Sequence, residues 1–268
     1  MQVLRKNIRK ILTTLFVLGL IFLLYKLFIW RSDNNQIQAQ IEEINEVVDP
    51  QDINVENHIF ENNPQKEKDN PYWDYMKLPL VDVDFNELNK INDETRGWIQ
   101  VPGTNINYPF VQHSDNNFYL NHSFNKEANQ AGWLFLDSRN DINNIDRNNI
   151  IYGHGRINSV LFGTLKNILK NGWLENSENH VIKLTTEELY SIWQVFSVYN
   201  TPTTSDYLVT DFSNDESYEN LLKYLKNKSS HDFDVALSKD DEILTLSTCH
   251  SSTDKVVMHA KLIRVVEK

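Results

Sequence analysis

The chain of 268 residues contains one cysteine, eight glycines and seven prolines. A single cysteine excludes a disulfide framework and a zinc site built on cysteine pairs. So little glycine and proline excludes a collagenous or low-complexity protein. Positive charge is also short, with 26 Lys and Arg against 37 Asp and Glu and a formal net charge of −11. That balance argues against a general nucleic-acid binder, which needs a basic footprint. There is no His-Glu-x-x-His pair, no glycine-rich phosphate loop, no Gly-x-Ser-x-Gly elbow and no internal repeat. What remains is 40% hydrophobic and 24% charged, enough for a core in one large domain or two small ones.

The charge is unevenly placed. Residues 1–31 hold Arg5, Lys6, Arg9, Lys10, Lys26 and Arg31 and no acidic residue. The rest of the chain keeps 20 basic residues against all 37 acidic ones, a net of −17. Residues 11–30 form an apolar run whose one charge, Lys26, lies near its end. Twenty helical residues at about 1.5 Å each span about 30 Å, the thickness of a bilayer core. Lys26 lies close enough to the edge to snorkel. No small-x-small cleavage site follows, so the run reads as a retained anchor rather than a signal peptide. Basic residues before it predict a cytoplasmic N-terminus and an acidic extracellular bulk.

Residues 32–71 read as a stalk. Ile37, Ile41, Ile44 and Val48 recur at helical spacing, so a short amphipathic helix is expected there. Asn, Asp, Glu and Gln then dominate 49–70, with Pro50 and Pro64 as breakers. The tripeptide Asn63-Pro64-Gln65 in this stretch reads as chance. A folded domain over 72–268 follows. Asp84-Phe85-Asn86-Glu87 predicts a helix start. Short apolar runs at 97–101, 106–111, 131–136, 149–152, 180–184, 189–199, 242–248 and 255–266 predict strands. Helices are expected over 160–169 and 218–227. Without regular strand–helix alternation, this predicts a mainly antiparallel β-barrel or sandwich with peripheral helices.

Two segments carry chemistry. Ile150-Ile151-Tyr152-Gly153-His154-Gly155 is an apolar strand that runs into a histidine flanked by glycines, which let other groups approach the imidazole. Leu244-Thr245-Leu246-Ser247-Thr248-Cys249 is an apolar strand that ends on the only cysteine. A cysteine that cannot pair within an exported chain is buried, cross-links two chains, or is a reactive thiol. An adjacent imidazolium stabilises the reactive thiolate and can protonate a leaving amine. His250 is a poor partner for Cys249, because consecutive strand residues point to opposite faces.

These residues resemble the sortase family. Leu246-Ser247-Thr248-Cys249 is similar to the family's Thr-Leu-x-Thr-Cys signature, and Tyr152-Gly153-His154 to its catalytic histidine segment. Leu161-Phe162-Gly163-Thr164-Leu165, the helix over 218–227 and Val256-Val257-Met258-His259-Ala260-Lys261-Leu262 resemble class B members. The resemblance covers residue 72 onwards. It implies an eight-stranded sortase β-barrel and a cysteine transpeptidase with neither metal nor cofactor. In such an enzyme Cys249 attacks a Thr carbonyl in the Asn-Pro-x-Thr-like sorting signal of an exported protein. The thioester is then resolved by an amine of a peptidoglycan precursor or crossbridge, or of a pilin.

One position departs from the family. Sortases place an arginine at the start of the last strand, where this chain has Lys255. Lysine supplies the charge but not the planar fork. Lys255 is the expected third member, with Arg156, two residues from His154, as the other possibility. Arg264 lies nine strand residues beyond Lys255, about 30 Å away at about 3.3 Å per residue, which is too far. Two other readings of the residues stand beside this one. A cell-wall cysteine peptidase or amidase would use the same Cys and His but release its product to water. A non-catalytic binding module would keep Cys249 buried.

Overall fold

The computed structural model describes residues 2–55, 72–155, 159–249 and 254–268, and for residues 2–6, Tyr72 and Cys249 the backbone alone. The tripeptide at 63–65 and Arg156 therefore lie outside the described residues. The chain begins with one uninterrupted helix, α1 (Gln2–Val48). Its only glycine is Gly19 and it contains no proline. It stops at Asp49, which adopts a left-handed φ of 41° immediately before Pro50. In its first half the apolar side chains point outward on every side; Phe16 is 72% exposed. By length and composition this half can cross a membrane. In the second half Ile37, Ile44 and Val48 are buried and Ile41 packs against the same core. Residues 32–48, read from the sequence as the start of a stalk, thus continue the apolar helix and lie on the folded domain. Nothing between residues 30 and 37 breaks the helix, and an apolar stripe at this spacing needs a surface to cover it.

Strand β1 (Gln51–Ile53) pairs antiparallel with β2 (Leu80–Asp82), and the short helix α2 (Tyr72–Tyr75) lies between them in sequence. Helix α3 (Phe85–Ile91) starts at the position the sequence predicts, because the Asp84 carboxylate accepts the Asn86 N–H at 2.9 Å. Eight further strands close a barrel: β3 (Thr95–Gln100), β4 (Asn107–Val111), β5 (Phe135–Leu136), β6 (Asn148–His154), β7 (Val181–Thr185), β8 (Leu189–Pro202), β9 (Ile243–Cys249) and β10 (Asp254–Glu267). Their order around the barrel is β10-β8-β7-β3-β4-β5-β6-β9, so β9 also adjoins β10 and no edge is left open. Two neighbouring pairs, β4–β5 and β6–β9, are parallel; the rest are antiparallel.

Over 160–169 the structure differs from the expected α-helix. The segment holds a 3-10 helix (Phe162–Leu169), preceded by Leu161 at φ 51°, a conformation that cannot belong to an α-helix. Helix α4 (Asn171–Leu174) follows. Helix α5 (Asp215–Lys228) starts at a reciprocal cap between Asn214 and Ser217. Its Tyr218, Leu221, Leu222 and Leu225 cover the outside of the barrel against Phe196, Tyr199, Ile243 and Val257.

Beneath α5 lies a buried polar chain. Thr245 donates its hydroxyl to Asn148 Oδ1 at 2.7 Å, so the Thr245 oxygen must accept from His259 Nδ1–H at 2.8 Å. His259 Nε2 then accepts from the Tyr199 hydroxyl at 2.9 Å. The imidazole is neutral and fully buried, and its burial, with help from the nearby Lys228 charge, pushes its pKa down to about 3. From pH 6.5 down to about 3 the unfolded chain binds a proton that folded His259 refuses, so stability falls as pH falls. The cost is up to about 1.4 kcal/mol per pH unit. Urea unfolding at pH 7 and pH 5 is expected to show this loss smaller by about 2 kcal/mol in His259→Gln than in wild type. Equal losses in both proteins would refute the assignment.

Candidate active site

The two chemistry-bearing strands are neighbours and run the same way. In the β6–β9 ladder Tyr152 pairs with Ser247, Gly153 with Thr248 and His154 with Cys249. Paired positions of adjacent strands share a face of the sheet, so 154 and 249 sit side by side at one rim of the barrel. β10 runs antiparallel to β9 on its other side, with Val257 opposite Ser247. β10 begins at Asp254, at the end of the barrel where β9 finishes. The three residues singled out in the sequence, Cys249, His154 and Lys255, therefore come from three adjacent strands at one end of the barrel. Lys255 is half-buried, and among the described residues its side chain makes no hydrogen bond or ion pair. At this rim the Thr248 hydroxyl oxygen accepts the Val256 N–H at 2.9 Å, where a strand carbonyl would ordinarily do so.

His154 is held by the backbone. Its Nε2 lies 2.7 Å from the Leu120 carbonyl oxygen. A carbonyl can only accept, so Nε2 carries the proton in this contact. Leu120 ends a 3-10 turn (Phe118–Leu120) that is stiffened from several sides. Asp115 caps it, taking the Asn117 and Phe118 N–H groups at 2.6 and 3.0 Å. The Phe118 ring is stacked between His113 and His122. The Tyr119 hydroxyl donates to Glu94 at 2.6 Å. Gly132 closes the pocket around the imidazole. It has φ 63°, and a Cβ there would come within 2.4 Å of the Tyr119 carbonyl oxygen and 3.0 Å of His154 Cδ2.

Two residues before His154, on the same face of β6, the Tyr152 hydroxyl donates to Asp137 Oδ2 at 2.8 Å. Asp137 is fully buried and receives a two-pronged contact from Arg139, Nε at 2.8 Å and Nη2 at 2.7 Å. Burial alone would raise its pKa; the Arg139 guanidinium, the Arg139 N–H and the Tyr152 hydroxyl outweigh that and hold it at about 2. Arg264 is buried elsewhere. Its guanidinium donates to the carbonyls of Met76, Leu78 and Val55 at 3.0, 3.1 and 2.8 Å, and so ties the segment before the barrel to β10. Among the described residues no group of three or more His, Cys, Asp or Glu is arranged to hold a metal ion.

The fold and this rim define a closed barrel that carries a paired cysteine and histidine on adjacent parallel strand ends. Comparison with known proteins says which family this is. The sortase domain family matches residues 99–263. Sortase B of Staphylococcus aureus (strain NCTC 8325 / PS 47) is 38% identical over 185 residues, 68% of this chain and 75% of that protein. Sortase B of Listeria monocytogenes is 33% identical over 186 residues, 67% and 74% of the respective chains. Among solved structures, a sortase B from Bacillus anthracis aligns with a TM-score of 0.70 at 30% identity, over 88% of this chain and 99% of that one. A Staphylococcus aureus sortase B–substrate complex aligns with a TM-score of 0.63 at 38% identity, over 67% and 84%. The chain belongs to the sortase family and is a cysteine transpeptidase of the sortase B type.

Sequence reasoning singled out Cys249, His154 and Lys255 but not the Leu120 carbonyl or Gly132. Gly132 could have been noticed as an isolated glycine within an apolar run, a sign of close backbone approach. Gly132→Ala forces a left-handed alanine against a carbonyl oxygen and the imidazole. It is expected to lower stability by about 1–3 kcal/mol and to cost activity beyond that loss. Thermal melting alongside peptide-ligation rates checks this, and an unchanged rate in a folded variant would contradict it.

Proposed function

We propose that Cys249 is the nucleophile, His154 the general acid and base, and Lys255 the cation at the oxyanion. The observation that carries this reading is the parallel register that pairs His154 with Cys249. The Cys249 thiolate attacks the Thr carbonyl carbon of an Asn-Pro-x-Thr-like sorting signal. The carbonyl π electrons move onto oxygen, and the ammonium of Lys255 offsets the charge that develops there. Collapse of this adduct breaks the peptide C–N bond. Protonated His154 supplies the proton to the departing amine, leaving a thioester on Cys249. The incoming amine then attacks the thioester, neutral His154 takes its proton, and the thiolate leaves. A planar guanidinium could grip the substrate with two donors, whereas Lys255 acts as a point charge.

A relative, the Staphylococcus aureus sortase B, has been solved as a substrate complex, which supports a peptide signal as the substrate here too. We further infer that the acceptor is an amine of peptidoglycan or its precursor. The exposed apolar half of α1 is read as a single-pass membrane anchor with the N-terminus in the cytoplasm and the barrel outside. Residues 1–31 then form the anchor and 72–268 the catalytic domain, with the stretch from Asp33 to Ile53 as a brace between them.

The full chain in detergent, incubated with Asn-Pro-x-Thr peptides with and without an amine and followed by mass spectrometry, is expected to show a mass adduct on Cys249 and an amine-ligated product. Cys249→Ala should abolish both. Lys255→Met should lower kcat by about 10²–10³-fold and Lys255→Arg much less. Release of free acid alone, whatever the amine, would turn the reading toward a peptidase. Full turnover by Cys249→Ala would overturn the mechanism.

A further inference from the structure

The helix that leads out of the apolar segment sets two glutamines against the loop 121–130. Gln40 is 6% exposed on the buried stripe of α1, and its Oε1 accepts the Phe124 N–H at 3.0 Å. The Phe124 carbonyl accepts Asn92 Nδ2 at 2.6 Å, so both sides of this residue's backbone are clamped. One turn earlier on α1, Gln36 spans the same loop. Its Oε1 accepts from Asn129 Nδ2 at 2.9 Å, and its Nε2 donates to Glu127 Oε2 at 2.6 Å. Asn129 also donates to the Asp33 carbonyl at 3.1 Å.

The loop so gripped is the one that holds His154. The Asn129 N–H donates to the Asn121 carbonyl at 2.8 Å, and His122 bridges Ala128. Gly132 N–H donates to the Asn129 carbonyl at 3.0 Å, and Trp133 N–H to the Tyr119 carbonyl at 3.0 Å. These bonds enclose Leu120, whose carbonyl accepts His154 Nε2–H. A buried glutamine on a packing stripe stabilises less than a leucine would, because its amide must be desolvated. Stability alone does not call for a glutamine at 40; a loop that must be held in one register does.

We propose that Gln40, seconded by Gln36, is a positioning residue for the transpeptidation: α1 sets the Leu120 carbonyl, and through it the orientation of the His154 ring. This rests on the assignment of His154 as the acid and base. The test uses the full chain in detergent. Gln40→Met keeps the length of the side chain and removes the acceptor. Gln40→Glu keeps an acceptor oxygen. Ile44→Ala removes apolar packing from the same helix and leaves both glutamines in place. Gln40→Met is expected to lower kcat about tenfold with KM nearly unchanged. Gln40→Glu should recover most of that rate, and Ile44→Ala should lower the melting temperature while sparing kcat. If Gln40→Met turns over as fast as a wild-type enzyme that forms the Cys249 adduct, the positioning role is wrong and the catalytic reading stands. The positioning role is equally wrong if Ile44→Ala loses as much kcat, or if Gln40→Glu recovers nothing. If wild type forms no adduct, the catalytic assignment falls and this role falls with it.

Discussion

The parallel pairing of β6 with β9 is the constraint around which the molecule is arranged. Antiparallel neighbours would put the C-terminal ends of the two strands at opposite rims and separate His154 from Cys249 by the height of the barrel. Parallel neighbours bring both ends to one rim, in register. A parallel pair cannot be joined by a hairpin, so the chain must leave the rim, cross and return. That crossover carries β7, β8 and α5, about a third of the chain. β10 then folds back along β9 and brings position 255 to the same rim.

Much of this was legible in the sequence. The strand runs show because apolar and β-branched residues cluster between turn residues. Both chemistry-bearing residues stand out because an apolar run ends on each of them. The start of α3 is visible as Asp84, a side chain whose job is local. Strand direction was not legible, since periodicity is the same for a strand read either way and nothing in residues 148–154 says which neighbour they will choose. The Leu120 carbonyl was invisible for a different reason: every residue has one, so no side chain marks it. Gln36 and Gln40 look like the wet face of an amphipathic helix, because the isoleucines alone define its stripe. Only the loop packed against them shows that Gln40 is buried and that Gln36 is bonded to the domain.

The buried polar groups of this barrel divide by whether their charge is kept. His259 sits between a hydroxyl that accepts and one that donates, and it gives up its charge to remain buried. Asp137 keeps its charge because a guanidinium, an amide and a phenol converge on it. Arg264 also keeps its charge, spreading it over three backbone carbonyls. These groups pin β6, β9 and β10 to their surroundings a residue or more away from the rim. At the rim, His154 is gripped by a backbone carbonyl, which orients the imidazole without carrying a formal charge.

The unbroken course of α1 has a consequence for how the enzyme meets its substrates. At about 1.5 Å per residue its 47 residues are about 70 Å long, and only the first part is apolar on all sides. In the proposed orientation, Asp33 already hydrogen-bonds the barrel's loop three residues beyond Trp30, about 5 Å above the apolar layer. The barrel is then held at a fixed height by a stiff post instead of swinging on a flexible tether. It samples a thin shell parallel to the bilayer, and its encounters become a search in two dimensions. A donor and an acceptor that are themselves held at the membrane would share that shell, whereas a peptide free in bulk solution would not.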